Sequence, residues 1–432
     1  MNDDAPTHVQ PDRFLTEDVP GVGGVLKSRP EDFLVDELPL YQPCGSGEHI
    51  YMYVEKHGMS TLDMVRVVAK HFGVRRSDVG YAGLKDKHAI TRQVLSVHTP
   101  GRRPEDFPEL QHEQISVQWV DLHTNKLRRG HLRGNRFSIK VRDVDPTHVI
   151  RAKPILDRLV ESGVPNRIGE QRFGVIENNH LIGRALIVGD AQAALDALLG
   201  PNAKHPDNHP EARRLYTEGR YADAAPLLPN GMRNELFALK TLANGGDAHD
   251  VFSRMDESII GFFYSAFQSA LFNRVLDARI DQDCFDRVLN GDLAMKMDNR
   301  AIFAVGRAEI DDPETGLRMH NFEISPTGPM WGPEMPRTRG GVDELELRVL
   351  SETGVTTDEL DELDGVGFFR GERRALRIPV TDPDMEGGVD EHGPFIRVAF
   401  ELPRGSFATV VLREIMKTDT RAAVYRRGES HE

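Results

Sequence analysis

Apolar residues alternate with polar ones or gather in short β-rich runs in five stretches of the first 150 residues: DFLVDEL (32–38), HIYMYVEK (49–56), QVLSVH (93–98), QISVQWV (114–120) and RFSIKVR (136–142). A period of two sends successive side chains to opposite faces of a strand, so these stretches predict sheet strands. Between the second and third the period changes. Met64, Val65, Val68, Ala69 and Phe72 recur at helical spacing, with Ser60 placed to cap the helix and Gly73 placed to end it in the left-handed conformation. Strands mixed with a helix predict an α+β fold.

From about residue 164 the texture turns helical, with alanine and leucine periodicity through 183–199 and a long stretch from Ile259 to Arg279. In it Ile259, Phe262, Phe263, Phe267, Ala270 and Leu271 fall on one face, which reads as a core-packing stripe. Glycine, proline and charge dominate 200–212, 311–342 and 381–394, which read as loops or small insertions. Strand character returns in PFIRVAFELP, and FATVVLREIMK reads as a closing helix.

At 432 residues the chain has room for two or three domains at roughly 100–200 residues each, and 39% hydrophobic residues support ordinary packed cores. No run of about 18 apolar residues occurs, and the first residues are polar and acidic, so neither a membrane protein nor a secreted one is expected. Cys44 and Cys284 make no disulfide framework or zinc ribbon, which fits a reducing cytoplasm. The formal charge of −14, from 54 basic and 68 acidic residues, repels polyanions overall, so any nucleic-acid contact must be local. One candidate is KLRRGHLRGNRFSIKVR (126–142), with seven basic side chains and no acidic one, against nine acidic residues in 343–364. Such a stripe either tracks phosphates or guards a strand edge.

Sequence signatures for dinucleotide binding, P-loop phosphoryl transfer, serine hydrolysis and zincin chemistry are missing, and no organic cofactor is expected. His205 and His209 stand four apart, but the prolines of HPDNHP break the helix that would align them, so no metal is expected either.

The sharpest local feature is GYAGLKDKHAITRQ (80–93). Gly80 and Gly83 permit backbone geometry closed to other residues, and the polar run Lys85, Asp86, Lys87, His88 lies between that turn and a strand. Scaffolds commonly present reactive groups at such junctions. Taken alone, Asp86 is either a turn residue with a surface ion pair or an ionised nucleophile or base. In extended geometry Lys85 and Lys87 point away from it, so adjacency does not establish an ion pair.

Seven segments, in order, resemble the TruD family of pseudouridine synthases: KSRPEDFLVDEL (27–38), GYAGLKDKHAITRQ, LRGNRFSI (132–139), VPNRIGEQRFG (164–174), SAFQSALFNRVL (265–276), SPTGPMWG (325–332) and LPRGSFATVVLRE (402–414). The resemblance implies isomerisation of a uridine in RNA, most often uridine 13 of tRNA. Its N-glycosidic bond is broken and remade through carbon 5 without cofactor, metal or obligatory protein partner. It makes Asp86 the nucleophile, attacking ribose C1′ or uracil C6, and assigns Phe33, Asn135 and Phe407 to the substrate, with Phe137 and Lys27 beside them. It also implies a catalytic domain around a largely antiparallel mixed sheet, built from 1–163 and 385–432, with an inserted α+β TRUD domain at 164–384. The insert is enlarged around 200–250 and 340–390, and Arg167 stands where the family often has an aromatic residue.

These positions make physical sense as a uridine pocket. Phe33, Phe137 and Phe407 offer aromatic surface, and the Asn135 amide can donate to and accept from an imide edge. Phe137 also falls on the apolar side of its strand with Ile139 and Val141, where it would be sheet core. Flipping a nucleotide out costs a few kcal/mol, which contacts along the RNA must offset. The stripe from Lys126 to Arg142, with Lys27, Arg29 and Arg172, is the candidate surface. Two other readings fit parts of the pattern: a non-catalytic RNA-binding or remodelling protein, and a glycoside hydrolase pairing Asp86 with Glu31, Asp32 or Glu37.

Overall fold

The computed structural model describes residues 13–418 except 364, 366 and 368. The described residues form two compact units, one made of 14–164 with 378–418, the other of Pro165–Arg377.

The first unit carries an eight-stranded mixed sheet: β1 (Phe33–Pro39), β2 (His49–Lys56), β3 (Val79–Tyr81), β4 (Ile90–His98), β5 (Ile115–His123), β6 (Leu132–Arg142), β7 (Thr381–Asp390) and β8 (Gly393–Pro403). The order is β7-β8-β6-β1-β4-β2-β5, with β3 alongside β4. Only β1 and β4 run parallel; every other pairing is antiparallel.

Register decides which side chains share a face, because directly opposed residues on paired strands point the same way. Phe33, Val35 and Glu37 of β1 oppose Ile139, Phe137 and Asn135 of β6, which oppose Val398, Phe400 and Leu402 of β8. On the other side of β1, Thr91 of β4 is matched with Lys56 of β2, and Leu95 with Met52. This inner face is covered in part by α1 (Thr61–Phe72). The helix begins at Ser60, whose side chain accepts from the Asp63 amide at 3.1 Å, and ends at Gly73 in the left-handed region at φ 67°. Its Met64, Val65, Val68, Ala69 and Phe72 pack on Ile50, Met52, Val54, Leu95 and Val97. Each such burial contributes about 1.5–3 kcal/mol for the large apolar side chains. Helices α2 (Val149–Ser162) and α3 (Ala408–Met416) complete the unit.

The stretch 381–390 is strand β7 rather than the expected loop. It is an edge strand, exposed along most of its length, so no alternation of apolar residues marks it. Gly387 is required there, since a Cβ would lie 2.2 Å from the Pro146 carbonyl oxygen.

In the second unit the expected phenylalanine-striped helix spans Glu257–Asp281, but it is not amphipathic. Phe263, Ala266, Phe267, Leu271, Phe272, Val275 and Leu276 are buried around most of its circumference, while Phe262 is exposed. The helix is central: it packs on Asn179–Ile187, on Gly340–Ser351 and on strand Ile324–Met330. The latter segments lie within 311–342 and its border, where loops were expected. Arg167 is buried in this unit and paired with Asp277, with Nη1 donating to Oδ2 at 3.1 Å. Among the described residues no helix is long and apolar enough to cross a membrane.

Candidate active site

Asp86 lies on the segment between β3 and β4, four residues before β4 begins. That segment is pinned from both sides. Lys56, at the inner-face end of β2 and without solvent exposure, donates its Nζ to the Asp86 carbonyl at 2.7 Å and to the Met59 carbonyl at 2.8 Å. Thr61, at the start of α1, accepts from the Lys85 amide at 2.9 Å and donates to Gln93 Oε1 at 3.0 Å; Gln93 Nε2 donates to the Gly83 carbonyl at 3.2 Å. The reactive segment is therefore held by a helix start and two strands rather than left as a free loop.

The Asp86 carboxylate is partly buried. Its Oδ2 is ion-paired with Lys27 Nζ, and its Oδ1 accepts from the His88 amide at 2.9 Å. Burial alone pushes a carboxyl up, but the hydrogen bond and charge of Lys27, helped by the His88 amide, outweigh it and hold Asp86 below its ordinary value. Lys27 reaches this position with its backbone in the left-handed region, at φ 54°, and its ammonium lies 4.7 Å from the Phe33 ring centre. Lys56 is shifted as well, down to about 8, because burial disfavours its charge more than nearby Asp86 supports it.

Of the residues singled out in the sequence, Lys27 thus reaches both Asp86 and Phe33. Asn135 joins them through Lys85, whose Nζ donates to Asn135 Oδ1 at 2.7 Å and pairs with Glu37 Oε2 at 2.7 Å. Phe407 lies four residues beyond the end of β8, whose Leu402 opposes Asn135, and is 51% exposed. Phe33 and Phe137 are both buried, at 5% and 6% exposure, and the Phe137 ring centre lies 5.6 Å from that of Phe400, which places it in the sheet core.

The basic stripe does not form one surface around Asn135. Alternation along β6 turns Arg136, Lys140 and Arg142 to the face opposite Asn135, and all three are occupied. Arg136 pairs with Asp382 at 2.6 Å, Lys140 with Asp390 at 2.7 Å, and buried Arg142 with both Asp32 and Asp390, its Nε donating to Asp32 Oδ1 at 3.0 Å. Arg129 donates to the Tyr81 hydroxyl at 2.9 Å, and Arg29 to Glu31 at 3.3 Å. In the second unit, half-buried Arg172 lies 5.2 Å from the centre of the exposed Phe262 ring.

The same contacts bear on the hydrolase reading. Glu37 is committed to Lys85, Asp32 to Arg142, and Glu31 is exposed beside Arg29, so none of the three is a free second carboxylate for Asp86. Lys56 is the residue holding the Asp86 segment that the sequence reading passed over. The signal was present: Ile50, Met52, Val54 and Lys56 alternate along β2, and a lysine at the fourth inward position asks for a buried partner.

Comparison with known proteins extends these observations beyond one sheet face. The family model described as tRNA pseudouridine synthase D (TruD) matches residues 12–415. A tRNA pseudouridine synthase D of Geobacter sulfurreducens is 42% identical over 94% of this chain and 97% of its own length. The protein of the same name from Syntrophotalea carbinolica is 40% identical over 94% of this chain and 99% of its own. A crystal structure of a TruD-assigned protein from Methanosarcina mazei superposes with a TM-score of 0.83 at 25% identity, covering 96% of this chain and 98% of that one. A sheet with a lysine-held aspartate beside it, in a chain matched nearly end to end by such relatives, has one assignment: the protein belongs to the TruD family of pseudouridine synthases.

Proposed function

We propose that this protein, an isomerase by family, converts uridine 13 of a tRNA to pseudouridine with Asp86 as its nucleophile. The observation that carries the assignment of Asp86 is its environment. A partly buried carboxylate is kept ionised by Lys27 and aimed by the His88 amide, on a backbone that Lys56 and Thr61 immobilise. Preorganisation of this kind spares the reaction the cost of ordering the nucleophile.

In this reading the target nucleotide flips out of the RNA, and stacking on the exposed Phe407 offsets part of the lost stacking. The carboxylate forms a bond to the nucleoside, at ribose C1′ or at uracil C6, while the N1–C1′ bond breaks. The base turns, C5 bonds to C1′, the C5 proton is lost, N1 takes up a proton in its place and the carboxylate is released. Both routes use the same oxygen nucleophile, and neither needs an oxidant or reductant. The unit Pro165–Arg377 is proposed as the inserted TRUD domain.

The test is direct. Asp86→Asn and Asp86→Ala are expected to retain the fold and bind tRNA while forming no pseudouridine at position 13, mapped by chemical modification. Turnover at the unmutated rate by either variant removes the assignment.

A further inference from the structure

We infer that Lys85 fixes the hydrogen-bonding polarity of Asn135, so that the pocket offers the flipped base an N–H donor and selects a carbonyl at that point. The inference rests on the reading above, in which Asn135 faces the uracil.

The argument begins with what each group can do. An ammonium has three donors and no acceptor, whereas an amide has one oxygen that accepts and one nitrogen that donates. Whichever end of Asn135 faces Lys85 Nζ must therefore be Oδ1, and the 2.7 Å separation is that of a charge-assisted hydrogen bond. Flipping the amide would set Nδ2 against an ammonium, two donors face to face. Lys85 itself has little freedom. Its side chain is 6% exposed, its Nζ is paired with Glu37 Oε2 at 2.7 Å, and Glu37 Oε1 accepts from the Val94 amide at 3.2 Å. Its backbone amide is tied to Thr61. The chain Val94–Glu37–Lys85–Asn135 runs from strand β4 across to strand β6 and leaves Nδ2 as the group available to a ligand.

The consequence is chemical. With Oδ1 turned toward Lys85, which occupies one of its two lone pairs, Asn135 does not present both ends of its amide to the imide edge; Nδ2 is the end turned to the base. It donates instead to one of the two uracil carbonyls. A base that presents an amine there leaves the Asn135 donor unpaired in a desolvated site, and sites built to hydrogen-bond one group reject its absence strongly. Lys85 is a positioning residue in this scheme, since it acts on the base only through Asn135.

A thermodynamic cycle in kcat/KM tests it with full-length protein and tRNA. Lys85→Met is paired with Glu37→Gln so that no buried carboxylate is left without its cation. Asn135→Ala is expected to lower kcat/KM by about tenfold or more. On the Asn135→Ala background, the Lys85→Met/Glu37→Gln change is expected to add less than about twofold, because it acts through the side chain already removed. Multiplying losses overturn the inference while leaving Asn135 as a substrate contact; an Asn135→Ala variant with the unmutated rate overturns that reading and the inference together. A second measurement needs no change at Lys85 and holds if the double variant fails to fold. Unmutated protein is assayed on tRNA carrying 2-thiouridine or 4-thiouridine at the target. Sulfur accepts hydrogen bonds poorly, so one of the two is expected to slow the reaction, and Asn135→Ala is expected to erase that difference. Equal rates on both, or a difference that persists without Asn135, overturn the proposal.

Discussion

Lys27 and Asp86, 59 residues apart, form an ion pair in which the lysine supplies what burial takes away. Burial raises the carboxyl and Lys27 lowers it by more, so the net displacement is downward. Lys27→Met leaves only the first effect, with the His88 amide opposing it. The acid limb of kcat/KM is expected to move up in pH, with a lower plateau. A pH–rate profile checks this; an unmoved acid limb removes Lys27 from the ionisation of Asp86.

Lys56 gives the protein a pH dependence of stability with a definite sign. Its folded value is pushed down from 10.5 to about 8, so between those limits the unfolded chain binds more protons. Stability from this group therefore rises as pH increases from about 8 toward 10.5. Below 8 lysine is charged in both states and its burial penalty is constant. Lys56→Met is expected to flatten that rise in denaturant titrations at pH 8 and 10, and to reduce kcat because the Asp86 carbonyl loses its donor.

Arg142 is expected to behave as a structural residue. Arg142→Ala leaves the buried Asp32 carboxylate without its cation, at a cost of about 3–5 kcal/mol and a clear fall in Tm. The salt dependence of tRNA binding is expected to keep its slope, because the guanidinium already serves Asp32 and Asp390. A slope reduced by about one unit would instead count Arg142 among the phosphate contacts.

Phe407 and Phe137 separate binding from packing. Phe407→Ala removes an exposed ring, so Tm is expected to change little while KM for tRNA rises, with stacking worth about 1–3 kcal/mol per base. Phe137→Ala removes a ring buried against Phe400, at a cost of about 3–5 kcal/mol in stability. Thermal melts and steady-state kinetics on both variants read the contrast.

Local pattern carried much of the eight-stranded unit into view. Alternation exposed β1, β2, β5 and β6, and Ser60 and Gly73 marked the ends of α1, because caps and periodicity are short-range consequences of backbone geometry. Strand β7 stayed hidden because an exposed edge strand buries no face and so needs no apolar alternation. The helix Glu257–Asp281 was visible as a helix, but its environment was not, since packing on several sides is a long-range fact. The site followed the same division. Asp86 stood out at its junction between glycines and a strand, while its partner could not be read from neighbours: Lys85 and Lys87 are adjacent in sequence, yet the pair is made by Lys27. The basic run 126–142 misled because composition ignores alternation, and β6 turns three of its cations toward acids on the far face.

Strand β6 is held between β1 and β8, and β8 begins 251 positions after β6 ends. During synthesis one edge of β6 has its neighbour early while the other must wait, with Phe137 and Ile139 lacking their partners Phe400 and Val398. The interval is filled by a unit with its own core, Pro165–Arg377, which can become compact first. A translation product stopped before Gly393 would thus carry Asp86 and Lys27 on an unfinished sheet, and such nascent chains are where a chaperone has something to hold.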